Sequence, residues 1–328
     1  MAAAAAAGRR GVLAEVPRRL LALPQDQWLG PGFDLAIAVA PRFGQEVALN
    51  LMLDSALTTS MLMPHVATFL GIDAASGGAT GGGERTYMAA DTAQQSPSVQ
   101  LEGLRLQGTG VELGPISPLV VDFPQFQIGL SLGCPVDGML GMEFYERFGV
   151  EVAEGHLRLH EAEAAEDYAA AEGMVQLSMA PLPAKLLAVG VELSAGAPDS
   201  APACGRVIGI VDTGAAHTVL NWAAAGLLLG LSQGDPHLEG SGGISAYDVS
   251  GEPIDMPLVK TSLELRSAGV EPRGAASFEA VEVAIGDIAL FAKLLGGDAM
   301  VPAALIGQDL LTQRPTLLAA RRRLLCFG

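Results

Sequence analysis

Residues 209–221 read GIVDTGAAHTVLN, an aliphatic run that ends on an acid, a hydroxyl residue and a glycine. Burying a carboxylate is expensive, so Val207, Ile208, Ile210 and Val211 leading straight into Asp212 need a reason. A strand that delivers Asp212 to a guarded site supplies one.

The same arrangement occurs earlier in the chain, and a repeat of this kind decides the architecture. FDLAIAV (33–39) followed by EVALNLMLDSALTTSMLMP (46–64) gives a strand, a turn at Arg42 to Gly44, and a second strand running into Asp54. KLLAVGVELS (185–194) followed by RVIGIVDTGAAHTVLN (206–221) gives the same order, with a longer loop before Asp212. A segment of helical character comes next in each copy, PHVATFLGI and NWAAAGLLLGLS, and then a glycine-rich stretch, GGATGGGERTY and EGSGGISAYDVSG. Strand-like runs with alternating apolar residues follow, such as VQLEGLRLQ and VEVAIGDIALF. Each copy closes on an aliphatic residue with glycine, Leu140-Gly141 and Ile306-Gly307.

Composition agrees with a globular pair of units. The chain has 328 residues, 50% of them hydrophobic, with enough glycine and proline for many turns, and the length suits two domains of about 150 residues. The expected boundaries are an N-terminal extension at 1–29, a first lobe at 30–160, an acidic, alanine-rich linker or short solvated helix, EAEAAEDYAAAEG, at 161–173, and a second lobe at 174–328.

Charge and cysteine usage exclude other classes. With 36 acids against 19 bases the formal net charge is −17, a surface that repels phosphate backbones and argues against nucleic-acid binding. Cys134, Cys204 and Cys326 form an odd set without metal-ligand spacing, so neither a disulfide framework nor a zinc site is expected, and an intracellular, reducing compartment fits. The N-terminal MAAAAAAGRRGVLAEVPRRL lacks the layout of a secretory signal; it reads either as the tail of a transit peptide to an organelle such as the chloroplast or as a plain disordered terminus. Two uncharged spans, Ser55–Ile72 and Thr213–Gly234, approach bilayer length but carry His and hydroxyl residues, and the first contains Pro64, so membrane insertion is not expected.

Asp-Thr-Gly-Ala at 212–215 with Leu-Ile-Gly at 305–307, and Asp-Ser-Ala-Leu at 54–57 with Leu-Gly at 140–141, resemble the lobes of the retropepsin-like and pepsin-like aspartic protease superfamily. The resemblance implies a mainly β fold of two homologous six-to-seven-stranded, closed-barrel-like lobes with short helices. It also implies an aspartic endopeptidase whose catalytic residues are Asp54 and Asp212, sharing a proton across the lobe junction and activating a water without cofactor or metal. Ser55 and Thr213 would tie the two loops together, Ala56, Gly214 and Ala215 would line the carboxyls, and Gly214 would donate its N–H. The glycine-rich stretches are candidate flaps, with Tyr87 and Tyr247 as contact residues. The partner is a protein or peptide substrate, and a monomer is expected. Ala56 and Leu57 depart from the family pattern, because Ala56 strains the loop if its φ is positive and Leu57 must find room in the core or the cleft. They motivate the alternative of a catalytically inactive, peptide-binding or assembly module.

Other signals have plain structural readings. His156 and His160 read as surface histidines on one strand face, His217 as a packed or capping residue, and Arg321 to Arg323 as a solvated turn or strand edge. GGATGGGER lacks the Lys-Ser/Thr of a phosphate loop.

Overall fold

The computed structural model describes residues 11–21, 33–42, 44–72, 84–89, 92–123, 135–193, 205–238, 241–247, 253–269, 274–288, 291 and 301–328. Within them the chain is mainly β, in three large sheets and one hairpin. The first lobe begins with the hairpin Phe33–Arg42 and Gln45–Leu53, paired antiparallel and turned at Gly44, whose φ of +79° suits glycine. Gly138–Leu140 then adds parallel to Gln45–Leu53, and Met61–Leu62 pairs antiparallel to Gly138–Leu140 on its other side. Leu119–Val120 extends this sheet beyond Met61–Leu62, and Arg105–Leu106 pairs with Phe33–Arg42.

The second lobe repeats that order. Leu187–Leu193 pairs with Val207–Val211, Ala303–Ile306 adds parallel to Val207–Val211, and Val219–Leu220 pairs antiparallel to Ala303–Ile306. The long strands Ala275–Ile285 and Pro253–Arg266 continue the sheet, and Pro253–Arg266 pairs back onto Leu187–Leu193, closing six strands into a barrel. The internal repeat therefore holds at the level of register, with Leu140 beside Leu53 and Ile306 beside Val211.

Both membrane-length spans break up on folding. Ser55–Ile72 contains the strand Met61–Leu62 and the helix Pro64–Phe69, and Thr213–Gly234 contains the strand Val219–Leu220 and the helix Trp222–Leu229. No helix among the described residues is long and apolar enough to cross a membrane. The second helix starts at Asn221, whose side chain accepts the Ala224 N–H at 2.8 Å. It ends at Gly230 in the left-handed conformation that closes helices without a Cβ penalty.

A six-stranded antiparallel sheet joins the halves, in the order Val12–Pro17, His156–Glu161, Phe148–Ala153, Thr316–Ala319, Leu324–Phe327, Val175–Ser178. Three expectations change here. Residues 12–17 and 19–21, assigned to a possibly disordered extension, form strands, because an edge of this sheet and the edge beside Phe33–Arg42 are there to pair with them. The acidic segment carries the helix Ala165–Ala171, which is packed instead of solvated. Its Ala165, Tyr168 and Ala169 are buried against Leu317, Ala319, Leu324 and Cys326. His160 is a core residue rather than a surface one, fully buried and hydrogen-bonded to Glu151 at 2.8 Å. Burial raises the pKa of Glu151, but the His160 hydrogen bond and the Arg158 charge outweigh it and hold the carboxyl below its usual range. His156 is exposed and His217 buried, and Arg321 and Arg322 sit in an exposed 3₁₀ turn, paired with Glu163 and Glu166. Cys326 is buried and free, while Cys134 and Cys204 lie outside the described residues.

Asn221 does more than cap a helix. It is buried, its Oδ1 also accepts the Ala303 N–H at 3.0 Å, and its Nδ2 donates to the Val301 carbonyl at 2.7 Å. Replacing it by alanine removes the cap and leaves buried backbone groups unpaired, so Asn221→Ala should cost about 2 to 4 kcal/mol. Urea unfolding of the two proteins measures it, and a loss below about 0.5 kcal/mol would refute this account of the second lobe.

Candidate active site

Each acid emerges from the end of a buried strand. The Asp54 N–H donates to the Leu140 carbonyl and the Asp212 N–H to the Ile306 carbonyl, both at 3.0 Å, so the ladder of each lobe fixes the backbone up to the carboxyl-bearing residue. The glycine that follows each aliphatic residue lies beneath the loop. A Cβ on Gly141 would stand 2.5 Å from the Leu57 carbonyl oxygen, and one on Gly307 would stand 2.5 Å from the His217 carbonyl. Ser60 Oγ accepts the Gly141 N–H at 3.0 Å and Thr218 Oγ1 accepts the Gly307 N–H at 3.2 Å. Two loops of matched shape result.

The loops are tied to each other by their hydroxyl residues. The Ser55 N–H donates to Thr213 Oγ1 and the Thr213 N–H donates to Ser55 Oγ, each at 3.0 Å. Ser55 Oγ in turn donates to the Val211 carbonyl at 2.9 Å, and Thr213 Oγ1 to the Leu53 carbonyl at 3.2 Å. Every one of these four bonds crosses from one lobe to the other.

This arrangement brings Asp54 and Asp212 together, close enough that each bears on the other's ionisation. Asp54 Oδ1 accepts the Ala56 and Leu57 N–H groups at 2.9 and 3.0 Å, and Asp212 Oδ1 accepts the Gly214 N–H at 2.8 Å. The Ala215 N–H also donates to Asp212. Gly214 sits so close to the opposing acid that a Cβ there would stand 2.5 Å from Asp54 Cγ. Close approach is thus what demands glycine at 214, since neither Gly214 nor Ala56 has a positive φ. Ala56 keeps its N–H on Asp54 and carries no left-handed strain. Leu57 is half-buried and packs against the core.

Burial pushes the Asp54 carboxyl up to about 6, against the pull of the Ala56 and Leu57 N–H groups. Burial and then the Asp54 charge push Asp212 well above the carboxylate range, outweighing its own backbone donors. The two groups titrate as a pair. Held this close, the two carboxyls disfavour ionising together.

Beneath the loops lies a polar group that no sequence motif marks. Tyr145 Oη is 2.7 Å from Thr213 Oγ1, and Gln308 Nε2 donates to the Thr213 carbonyl at 2.8 Å. Gln308 also borders a small cavity with the buried Asp34, which accepts Arg18 Nε at 2.6 Å and Nη2 at 3.2 Å. Asp34 carried a legible signal, an acid inside the aliphatic run FDLAIAV; Tyr145 and Gln308 follow the two glycines closely but have no spacing that distinguishes them.

Tyr87 lies on Glu84–Ala89, which forms a two-stranded hairpin with Thr92–Pro97, and Tyr247 lies on Gly243–Tyr247, an edge strand of the second lobe. The side chains of both tyrosines, and residues 77–83, 239–240 and 248–251 of the glycine-rich stretches, are outside the described residues. Among the described residues no three His, Cys, Asp or Glu side chains gather as a metal site.

The raised carboxyls set a pH dependence of stability with a definite sign. Because the folded pKa of Asp54 lies above its ordinary value of 3.8, the folded state holds protons that the unfolded chain has released. The stability is fully present below about pH 4 and is lost as pH rises through about 6. Relative to the Asp54→Asn/Asp212→Asn double variant, the protein should lose several kcal/mol between pH 4 and 7, Asp54 alone accounting for roughly 3. Urea midpoints at each pH give the difference, and one that stays flat would show that the dyad is not buried as described.

Residues 39–144 match a family model described as aspartyl protease. No curated protein matches the chain. Basic 7S globulin from soybean shares its fold at a TM-score of 0.50 and 10% identity, over 97% of this chain and 95% of that one. Conglutin gamma from lupine seeds matches at 0.46 and 11% over the same shares. A retropepsin-like aspartic protease from Rickettsia conorii matches at 0.29 and 21%, over 45% of this chain and 91% of that one. The family match in the first lobe supports a relation to the aspartic protease superfamily, and the likeness to basic 7S globulin is one of fold.

Proposed function

We propose that the protein is an aspartic endopeptidase that hydrolyses extended peptides at the lobe junction with Asp54 and Asp212. The observation that carries this reading is the crossed Ser55–Thr213 hydrogen bonding, with Gly214 seated against the Asp54 carboxyl, which sets the two acids against each other at the lobe junction; burial then pushes Asp54 toward about 6 and Asp212 well above. A fold gains no stability by burying two like charges face to face, whereas acid–base chemistry needs one such group in each state.

The chemistry balances on a single proton. The Asp54 carboxylate takes a proton from a water whose oxygen attacks the peptide carbonyl carbon, while Asp212 gives its proton to the carbonyl oxygen. The tetrahedral diol then collapses. Asp54 passes its proton to the departing amine nitrogen, the C–N bond breaks, and Asp212 recovers a proton from a diol hydroxyl. Free enzyme is restored with one proton on the pair. The N–H groups of Ala56 and Leu57 steady Asp54 as the carboxylate, and those of Gly214 and Ala215 orient Asp212. The hairpin Glu84–Ala89 and Thr92–Pro97 is the proposed flap.

Ala56 favours this reading over a silent binding module, because its N–H serves the Asp54 carboxylate without left-handed strain. Asp54→Asn or Asp212→Asn should abolish cleavage of a mixed peptide library, with the fold retained. In the wild type, cleavage should rise through about pH 6 as Asp54 ionises. Equal cleavage by wild type and Asp212→Asn would rule out the mechanism, and a rate that falls steadily from pH 4 to 7 would contradict the assignment of Asp54 as the base.

A further inference from the structure

The twofold repeat breaks beneath the dyad, and on one side only. Ser55 and Thr213 make matching bonds to each other and to the opposite strands, but Thr213 alone is held from below, by Tyr145 at its hydroxyl and Gln308 at its carbonyl. Setting Leu140-Gly141 against Ile306-Gly307 places Leu311 opposite Tyr145 and Met142 opposite Gln308. Neither of those has a side-chain donor to offer the Ser55 loop.

The direction of the Tyr145 bond follows from counting protons. Thr213 Oγ1 accepts the Ser55 N–H and gives its one proton to the Leu53 carbonyl, so its remaining lone pair must accept from Tyr145. Among the described residues the Tyr145 hydroxyl has no other hydrogen-bond partner, so its own proton has nowhere else to go. The hydroxyl that accepts both bonds belongs to the residue next to Asp212.

We propose that Tyr145 is a positioning residue for the dyad, its hydroxyl holding the Asp212 loop in the register that lets the two carboxyls share a proton, with Gln308 as its second support. This rests on the functional reading above only for its kinetic consequence. The support is anchored outward. Gln308 gives an amide proton to the Thr213 carbonyl and borders the same small cavity as Asp34, which is clamped by Arg18 from the N-terminal segment between two edge strands. Asp34, Tyr145, Thr213 and Gln308 also border a cavity of about 20 Å³ over the joining sheet, with room for one water at most. Thr213 is therefore seated on a polar wedge in otherwise apolar surroundings, with Leu53, Val150, Val211 and Leu318 around it.

A plain packing role for Tyr145, whose ring meets Phe144 edge-on at 5.6 Å, makes a different forecast. Tyr145→Phe keeps the ring and deletes only the hydroxyl. In the full-length chain, carbon-13 NMR titration of the aspartate carboxyls should show the two apparent pKa values of the pair moving closer together in Tyr145→Phe, because a looser Asp212 loop weakens the coupling between the two carboxyls. Asp34 and Arg18 are the other charged groups facing this region and stay in place in the variant. Against a cleaved peptide, kcat should fall about tenfold with KM unchanged. An unchanged separation of the two values overturns the proposal, and so does an unchanged kcat in an active enzyme. If the wild type cleaves no peptide the functional reading fails by itself, and the NMR titration alone decides on Tyr145. Should Tyr145→Phe not fold, Gln308→Met, which copies Met142 of the first lobe, carries the same titration, with narrowing expected and no change overturning the proposal.

Discussion

The exchange of hydrogen bonds between Ser55 and Thr213 is the constraint on which the rest of the site depends. Two β lobes can be packed side by side in many ways, yet only one arrangement lets each hydroxyl accept the other loop's N–H and donate to the other loop's strand. Once those four bonds form, the residues just before Ser55 and Thr213 have no freedom left. Asp54 and Asp212 must face each other. Gly214 completes the approach, because any side chain there would occupy the space of the Asp54 carboxyl.

That geometry is expensive by itself, and the fold offsets it in identifiable places. Four backbone N–H groups, from Ala56, Leu57, Gly214 and Ala215, supply hydrogen bonds to the carboxyls. Burial and the Asp54 charge together push Asp212 far above the carboxylate range, which favours its holding a proton. The joining sheet, with three strands from each half of the chain, keeps the lobes from separating to relieve it.

Much of this was legible in the sequence because it is repeated. An aliphatic strand ending on an acid and a hydroxyl, followed later by an aliphatic residue and a glycine, occurs twice, and each piece has a local physical reason that spacing alone expresses. Side chains that act across the fold left no such trace. Tyr145 and Gln308 meet Thr213 from different lobes, and nothing local marks either one. His160 read as a surface residue because its strand, HLRLHE, alternates, but the helix Ala165–Ala171 covers that face and buries it beside Tyr168. Residues 12–17 looked like a loose terminus because an edge strand gains its order from a partner, here His156–Glu161, that lies far along the chain.

The central claim is that one proton resides on the Asp54–Asp212 pair at neutral pH. Infrared difference spectroscopy between the wild type and Asp212→Asn at pH 7 tests it directly, since a protonated carboxyl absorbs apart from a carboxylate. The account predicts a protonated-carboxyl band in the wild type that the Asp212→Asn variant lacks. A difference spectrum showing only the loss of a carboxylate would mean that Asp212 is ionised at pH 7 and would contradict this account.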